Sequence, residues 1–211
     1  IFDRVIECSP SRSFRDKVEL MDHSPYDRTL YLDTDTYVTG ELSPVFQVLS
    51  RGNIAVAHAP NRNHPKRSVS SHVPDAFPTF NTGVIAYQDV HAVQEFFDLW
   101  KSHLSDVKIS LNDMVPDQPA FRAALFDSSV SYHTLPSEYN YRSIYPGQLG
   151  GPVKILHGRH DDMQAVGERL NKIETRRVHY RLGGKERVFD EINPPNPLHA
   201  LQTFVNKRFF E

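Results

Sequence analysis

The sequence predicts an α/β fold in which a largely parallel sheet is flanked by helices. Three observations predict it. Short apolar runs of β type alternate with stretches of helical periodicity, no repeat or low-complexity segment interrupts the alternation, and 211 residues suffice for one sizeable core but not two. In such sheets the chemistry gathers at the carboxyl ends of strands. The polar residues that end each apolar run are therefore the first candidates.

The elements follow in order. The opening IFDRVIEC reads as a strand. Residues 12–22 carry Phe14, Val18 and Met21 at helical spacing, after Ser11 or Ser13 as a cap. The run Thr29–Leu32 is a strand that stops at Asp33. Ser43 caps a helix over 44–50, and Ile54–Ala57 reads as a buried strand. The stretch from Pro60 to Pro78, with Lys66 and Arg67, reads as a long exposed loop. Gly83–Tyr87 is a third strand, after which Asp89 caps a helix whose Val90, Val93, Phe96, Phe97, Trp100 and Leu104 share one face. A shorter helix spans about 118–126, with Pro119 tolerated in its first turn. Beyond a tyrosine-rich segment (Tyr132, Tyr139, Tyr141, Tyr145), Val153–Leu156 forms a fourth strand that runs into His157-Gly158. From Asp161 the pattern predicts a helix, a two-stranded ribbon around Gly183-Gly184, a proline-rich turn at 194–197 and a closing helix at 198–210.

Charge and composition exclude several functions. The 24 Lys and Arg against 26 Asp and Glu leave a net charge of −2, which offers no basic field for nucleic acid. No apolar run reaches the roughly 18–20 residues that a membrane helix needs, and no signal peptide is visible. Cys8 is the single cysteine, so an internal disulfide and a cysteine-built zinc site are excluded. A reducing, cytoplasmic setting is expected.

Asp33 and Asp35 lie where the apolar run stops. Two carboxylates one residue apart in extended or turn backbone can converge on a hard cation such as Mg²⁺ or Mn²⁺; the alternative is a solvated Asx turn. The phrase YLDTDTYV resembles the Asp-x-Asp motif of GT-A-fold nucleotide-diphospho-sugar glycosyltransferases. Four further features stand in the order seen in the glycogenin-like, retaining galactosyltransferase-like branch, the family 8 type. Lys17 lies sixteen residues before Asp33, FNTGVIAY is similar to that branch's Asn-x-Gly strand, Asp117-Gln118 opens a helix, and ILHG resembles its late strand ending in His-Gly. The resemblance spans about 12–160 and leaves the tail unexplained.

That resemblance implies a GT-A, Rossmann-like domain over 1–211 with 161–211 as a packed extension, and a first strand and helix that should precede Ile1. It implies transfer of a sugar, with retention, from a nucleotide-diphosphate sugar to an acceptor hydroxyl. UDP-sugars are the favoured donors, and the acceptor is a glycan, a protein or a small molecule. The implied metal is Mn²⁺ or Mg²⁺ on Asp33, Asp35 and His157. Asp117 and Gln118 are the implied catalytic pair; Asp117 also reads as a helix N-cap, and Asp113 is a weaker acidic neighbour. Lys17, Asn81, Thr82, Gly83, Gly158 and Arg159 are the implied substrate contacts, with Arg12 and Arg15 able to share the role of Lys17. Gly158 would let backbone N–H groups approach phosphate while a cation neutralises it.

At this last position the chain departs from the pattern. The family carries His, a short spacer with Gly, then Lys-Pro-Trp, whereas this chain has HGRHDDM; Arg159 or Lys172 stands in for the lysine, or neither does. The loop at 60–78 and the tyrosines at 139–145 are candidate acceptor walls. Two alternatives carry the same residues: a catalytically inactive sugar-nucleotide or glycan-binding protein, and a metal-dependent phosphohydrolase or nucleotidyltransferase.

Overall fold

A computed structural model describes residues 3–7, 14–60, 72–107 and 116–190. In chain order the elements are α1 (Phe14–Asp22), β1 (Arg28–Leu32), β2 (Thr36–Val38), α2 (Ser43–Val48), β3 (Ile54–His58), β4 (Phe80–Gln88), α3 (His91–Asp106), α4 (Gln118–Asp127), β5 (Tyr132–Leu135), β6 (Gly147–Leu149), β7 (Ile155–His157), α5 (Met163–Asn171), β8 (Arg177–Leu182) and β9 (Lys185–Asp190). They fall into two compact units, one of residues 1–34 and 42–136, the other of 35–41 and 137–211.

The first unit is a mixed α/β layer structure around a four-stranded sheet of order β1-β4-β3-β5. β4 occupies the interior of the sheet, and its residues from Phe80 to Tyr87 are all buried. The α3 stripe of Val93, Phe96, Phe97, Trp100 and Leu104 packs into this core as its periodicity requires. Phe121 of α4 meets Trp100 and Phe96 edge-on, with ring centroids 4.8 and 5.3 Å apart. Burying each such side chain is worth about 1.5–3 kcal/mol, and these rings hold both helices against the sheet. Val18 and Met21 anchor α1 in the same cluster.

The sheet is mixed, which corrects the expectation of a mostly parallel one. β4 runs antiparallel to both β1 and β3, and only β3 with β5 is parallel. Alternating strands and helices reveal element order but not which strands become neighbours. The chain from Ala59 to Thr79 has no helix among its described residues, and it returns the chain beside β3 in the opposite direction. The route from β3 to β5 passes through α3 and α4, the kind of crossover that parallel pairing needs.

The second unit is built on shorter elements. β2 pairs antiparallel with β7, with Thr36 opposite His157, so the fourth strand of the sequence pattern does not join the four-stranded sheet. β6, β8 and β9 form a three-stranded sheet. The ribbon turns at Gly183 (φ 57°) and Gly184 (φ 77°), the two positive φ values that a two-residue hairpin turn of type I′ requires. Asp162 caps α5 by accepting from Ala165 N at 2.9 Å. Tyr141, Leu149, Val153, Leu156, Val166 and Leu170 form the core of this unit.

Local readings are corrected elsewhere. Residues 4–7 have no regular structure and residues 3–7 are exposed, so the opening strand does not form there. Ser43 is the first helical residue after the cap position Leu42. Asp89 precedes the cap position Val90 of α3, and its carboxylate accepts from Gln94 instead. β5 was not legible in the tyrosine-rich segment. Cys8, Ser11 to Ser13, most of the 60–78 loop, Asp113, the turn at 194–197 and the closing helix lie outside the described residues. Among the described residues no helix is long and apolar enough to cross a membrane.

Candidate active site

In the first unit, the packing of α1 delivers a lysine to the end of a strand. Lys17 immediately precedes the fully buried Val18, and its own side chain is only 8% exposed. Its Nζ lies 3.2 Å from Asp33 Oδ1 and 2.9 Å from Asp117 Oδ2. Asp33 gets there by continuing the β1–β4 register: Leu32 faces Val84, and Asp33 N donates to Gly83 O at 2.8 Å. Asn81 Oδ1 accepts from Gly83 N at 3.0 Å and shapes the same strand.

The two carboxylates are shared by neutral donors as well. Tyr31 Oη donates to Asp33 Oδ1 at 2.7 Å, and Thr82 Oγ1 donates to Asp117 Oδ2 at 2.8 Å. The Lys17 ammonium sits 5.1 Å from the centre of the Tyr31 ring, within the range of a cation–π attraction. One ammonium thus stands between two acids at the carboxyl end of β1, and the cluster carries one net negative charge.

Asp117 occupies the N-cap position of α4, but its backbone is already helical (φ −83°, ψ −25°) and its side chain makes no cap hydrogen bond. The carboxylate turns to Lys17 and Thr82, a stronger pairing than a lone backbone N–H offers. The cap reading therefore fails for the side chain. Trp100 Nε1 donates to the Asp117 carbonyl at 3.3 Å and ties this corner to α3. Gln118, half-buried, is the first residue of α4.

In the second unit, His157 ends β7 and is 4% exposed. Its Nδ1 lies 2.7 Å from Asn140 Oδ1. A carbonyl oxygen only accepts, so Nδ1 carries a proton; in the neutral ring Nε2 then presents its lone pair, and in the charged ring it donates. That nitrogen faces Asp35 Oδ1 at 3.4 Å. Two acceptors across such a gap repel unless a proton or a cation lies between them, and one imidazole nitrogen beside a carboxylate oxygen is a donor pair suited to Mn²⁺. The arrangement of a ligand histidine oriented through its other nitrogen is the common one in metal sites. Gly158 N donates to the Asp35 carbonyl at 2.9 Å, and this bond joins the backbones of the two residues.

No protein-family model matches the chain, and no curated protein matches it. Three solved structures show what it is similar to. The galactosyltransferase LgtC, solved with donor and acceptor sugar analogues, is 15% identical over 74% of this chain and 64% of its own, with a TM-score of 0.49. The glycosyltransferase GlyE of Streptococcus pneumoniae TIGR4 is 19% identical over 76% of this chain and 43% of its own, with a TM-score of 0.45. Mouse xyloside xylosyltransferase 1, in its apo form, is 17% identical over 69% and 62%, with a TM-score of 0.46. The chain thus spans between about two fifths and just under two thirds of the length of the structures it matches.

The remaining expected residues fall in different settings. Arg159 and Lys172 are exposed. Gly158, at φ 119°, gives its own N–H to the Asp35 carbonyl. Tyr141 is core rather than acceptor wall: it is 4% exposed, its hydroxyl lies 2.8 Å from His179 Nδ1, and burial pushes its pKa up. Arg12 and the side chain of Arg15 lie outside the described residues.

Sequence reasoning missed Tyr31 and Asn140. Tyr31 read as one more apolar strand residue, although its position two before Asp33 in a strand puts both on one face. Asn140 was hidden among tyrosines read for their rings.

Proposed function

We propose that this chain is a GT-A-type glycosyltransferase of the glycogenin-like family 8 type, with 1–211 acting as one catalytic domain. It transfers a sugar from a nucleotide-diphosphate sugar, UDP-linked by preference, to an acceptor hydroxyl with retention. The observation that carries the reading is the orientation of His157: held by Asn140 through Nδ1, it offers Nε2 to Asp35 where an Asp-x-Asp motif follows an apolar strand. Asp33, Asp35 and His157 would hold the cation, Mn²⁺ or Mg²⁺. When bound, it neutralises charge on the leaving diphosphate.

The chain's own residues would do the rest. Asp117 and Gln118 orient the donor sugar and stabilise positive charge at the anomeric carbon, as a preorganised site does. Lys17 holds Asp117 and Asp33 in place and lends them positive charge. Asn81, Thr82 and Gly83 form the sugar-facing end of β4, and Gly158 leaves room beside the diphosphate.

A panel of sugar nucleotides tests this. The expected result is release of nucleoside diphosphate that needs Mn²⁺ and is abolished by Asp35→Ala. Binding of a nucleotide or glycan without turnover would mark a binding protein, and release of inorganic phosphate or pyrophosphate would mark a hydrolase or nucleotidyltransferase. Either outcome overturns the proposal.

A further inference from the structure

We propose that Arg142, and not Arg159 or Lys172, is the side chain that takes the donor's diphosphate, an inference that rests on the glycosyltransferase reading. Three observations within the second unit carry it.

The first is place. A Cβ built on Gly158 would stand 3.9 Å from Arg142 Nη2 and 4.0 Å from Nε, so the guanidinium lies over the bare α-carbon of the residue that follows His157. Gly158 itself gives its N–H to the Asp35 carbonyl. It therefore contributes room rather than a donor, and positive charge at this position has to come from a side chain.

The second is lack of satisfaction. Arg142 Nε is buried without a hydrogen-bond partner, and among the described residues no ion pair involves Arg142. Arg177 Nε is likewise unpartnered, but Arg122 and Arg177 spend their terminal nitrogens on carbonyls, Pro74 and Phe77 for Arg122, Thr175 and Gly151 for Arg177, and Arg142 has no such bond among the described residues. A guanidinium has five donors in a fixed plane, and leaving it unmatched is costly unless an anion completes it. A phosphate group matches that plane bidentately.

The third is rigidity. The residues on either side of Arg142 are fixed: Tyr141 is 4% exposed and Ser143 0%. Their hydroxyls lie 2.8 Å from His179 Nδ1 and from His160 Nε2. The guanidinium also stands 6.0 Å from the Tyr145 ring centre. Arg159, by contrast, is exposed and would lose more conformational freedom on meeting a ligand.

The test is calorimetric titration of the whole 211-residue chain with UDP and with inorganic pyrophosphate in the presence of Mn²⁺. Arg142→Gln is expected to weaken both by about tenfold or more, the loss typical of a charge-assisted hydrogen bond, while Arg159→Gln changes either by less than about twofold. Equal binding by Arg142→Gln and the unaltered chain, or the larger loss in Arg159→Gln, overturns the assignment and leaves the glycosyltransferase reading standing. Failure of the unaltered chain to bind UDP or pyrophosphate overturns both. If Arg142→Gln loses its thermal transition, Arg142→Lys decides: it keeps stem and charge but not the planar fork, so unchanged affinity overturns the proposal and a loss of about threefold or more supports it.

Discussion

Asn140 accepts from Nδ1 of His157 at 2.7 Å, and that bond selects the nitrogen that faces Asp35. The tautomer of the histidine is thus set by a residue seventeen positions earlier in the chain. Asn140→Ala removes the acceptor and frees the ring to change tautomer. Mn²⁺ affinity, read by calorimetry, is expected to fall by about 10–100-fold, the usual effect of removing such a partner. Unchanged affinity would show that the bond does not orient a ligand.

Lys17 joins Asp33 and Asp117 with its side chain 8% exposed and that of Asp117 7% exposed. Lys17→Met leaves two acids without their cation, and breaking a buried pair from one side costs about 3–5 kcal/mol. Thr82→Val removes one hydrogen bond to the same carboxylate and should cost about 1–3 kcal/mol. Urea unfolding of the two variants checks the order; a Thr82→Val loss equal to that of Lys17→Met would place the weight of the cluster on the hydroxyl.

Gly158 has room for a methyl group, at ordinary contact with Arg142, but not the backbone for one. At φ 119° an L side chain is strained by about 1–3 kcal/mol. Gly158→Ala should therefore lower the denaturation midpoint even though the nearest heavy atom is 3.9 Å away. No change in midpoint would mean that the turn after His157 relaxes freely.

His160 supplies a pH dependence. Burial, chiefly, lowers its pKa in the folded state, against the opposing field of Glu186. Above the unfolded value, near 6.5, both states hold the neutral ring and the group contributes nothing. Below it the unfolded chain binds the proton first, so stability falls as pH drops from about 6.5 toward the folded pKa. Unfolding free energies at pH 7.5 and 5.5 should differ less in His160→Gln than in the unaltered chain.

Elements whose own residues decide their structure were legible beforehand. The α3 stripe ending in Trp100 and Leu104, the apolar body of β4 and the Gly183-Gly184 turn each follow from periodicity or backbone freedom over a few residues. The candidate residues Lys17, Asp33, Asp117 and Thr82 were also named from motif order alone. β5 escaped notice because four residues, Tyr132 to Leu135, carry too little pattern to separate a strand from a loop.

What the sequence determined by itself was the α/β class, the hydrophobic faces and the residue types available for chemistry, because these depend on local periodicity and composition. Tertiary structure alone decided that β4 would lie antiparallel between β1 and β3, that the Asp117 carboxylate would leave its cap position for Lys17, that Asn140 would hold His157, and that Arg142 would lie over Gly158. Each of those outcomes pairs groups distant in the chain, and the pairing energy depends on separation and burial that no local pattern encodes.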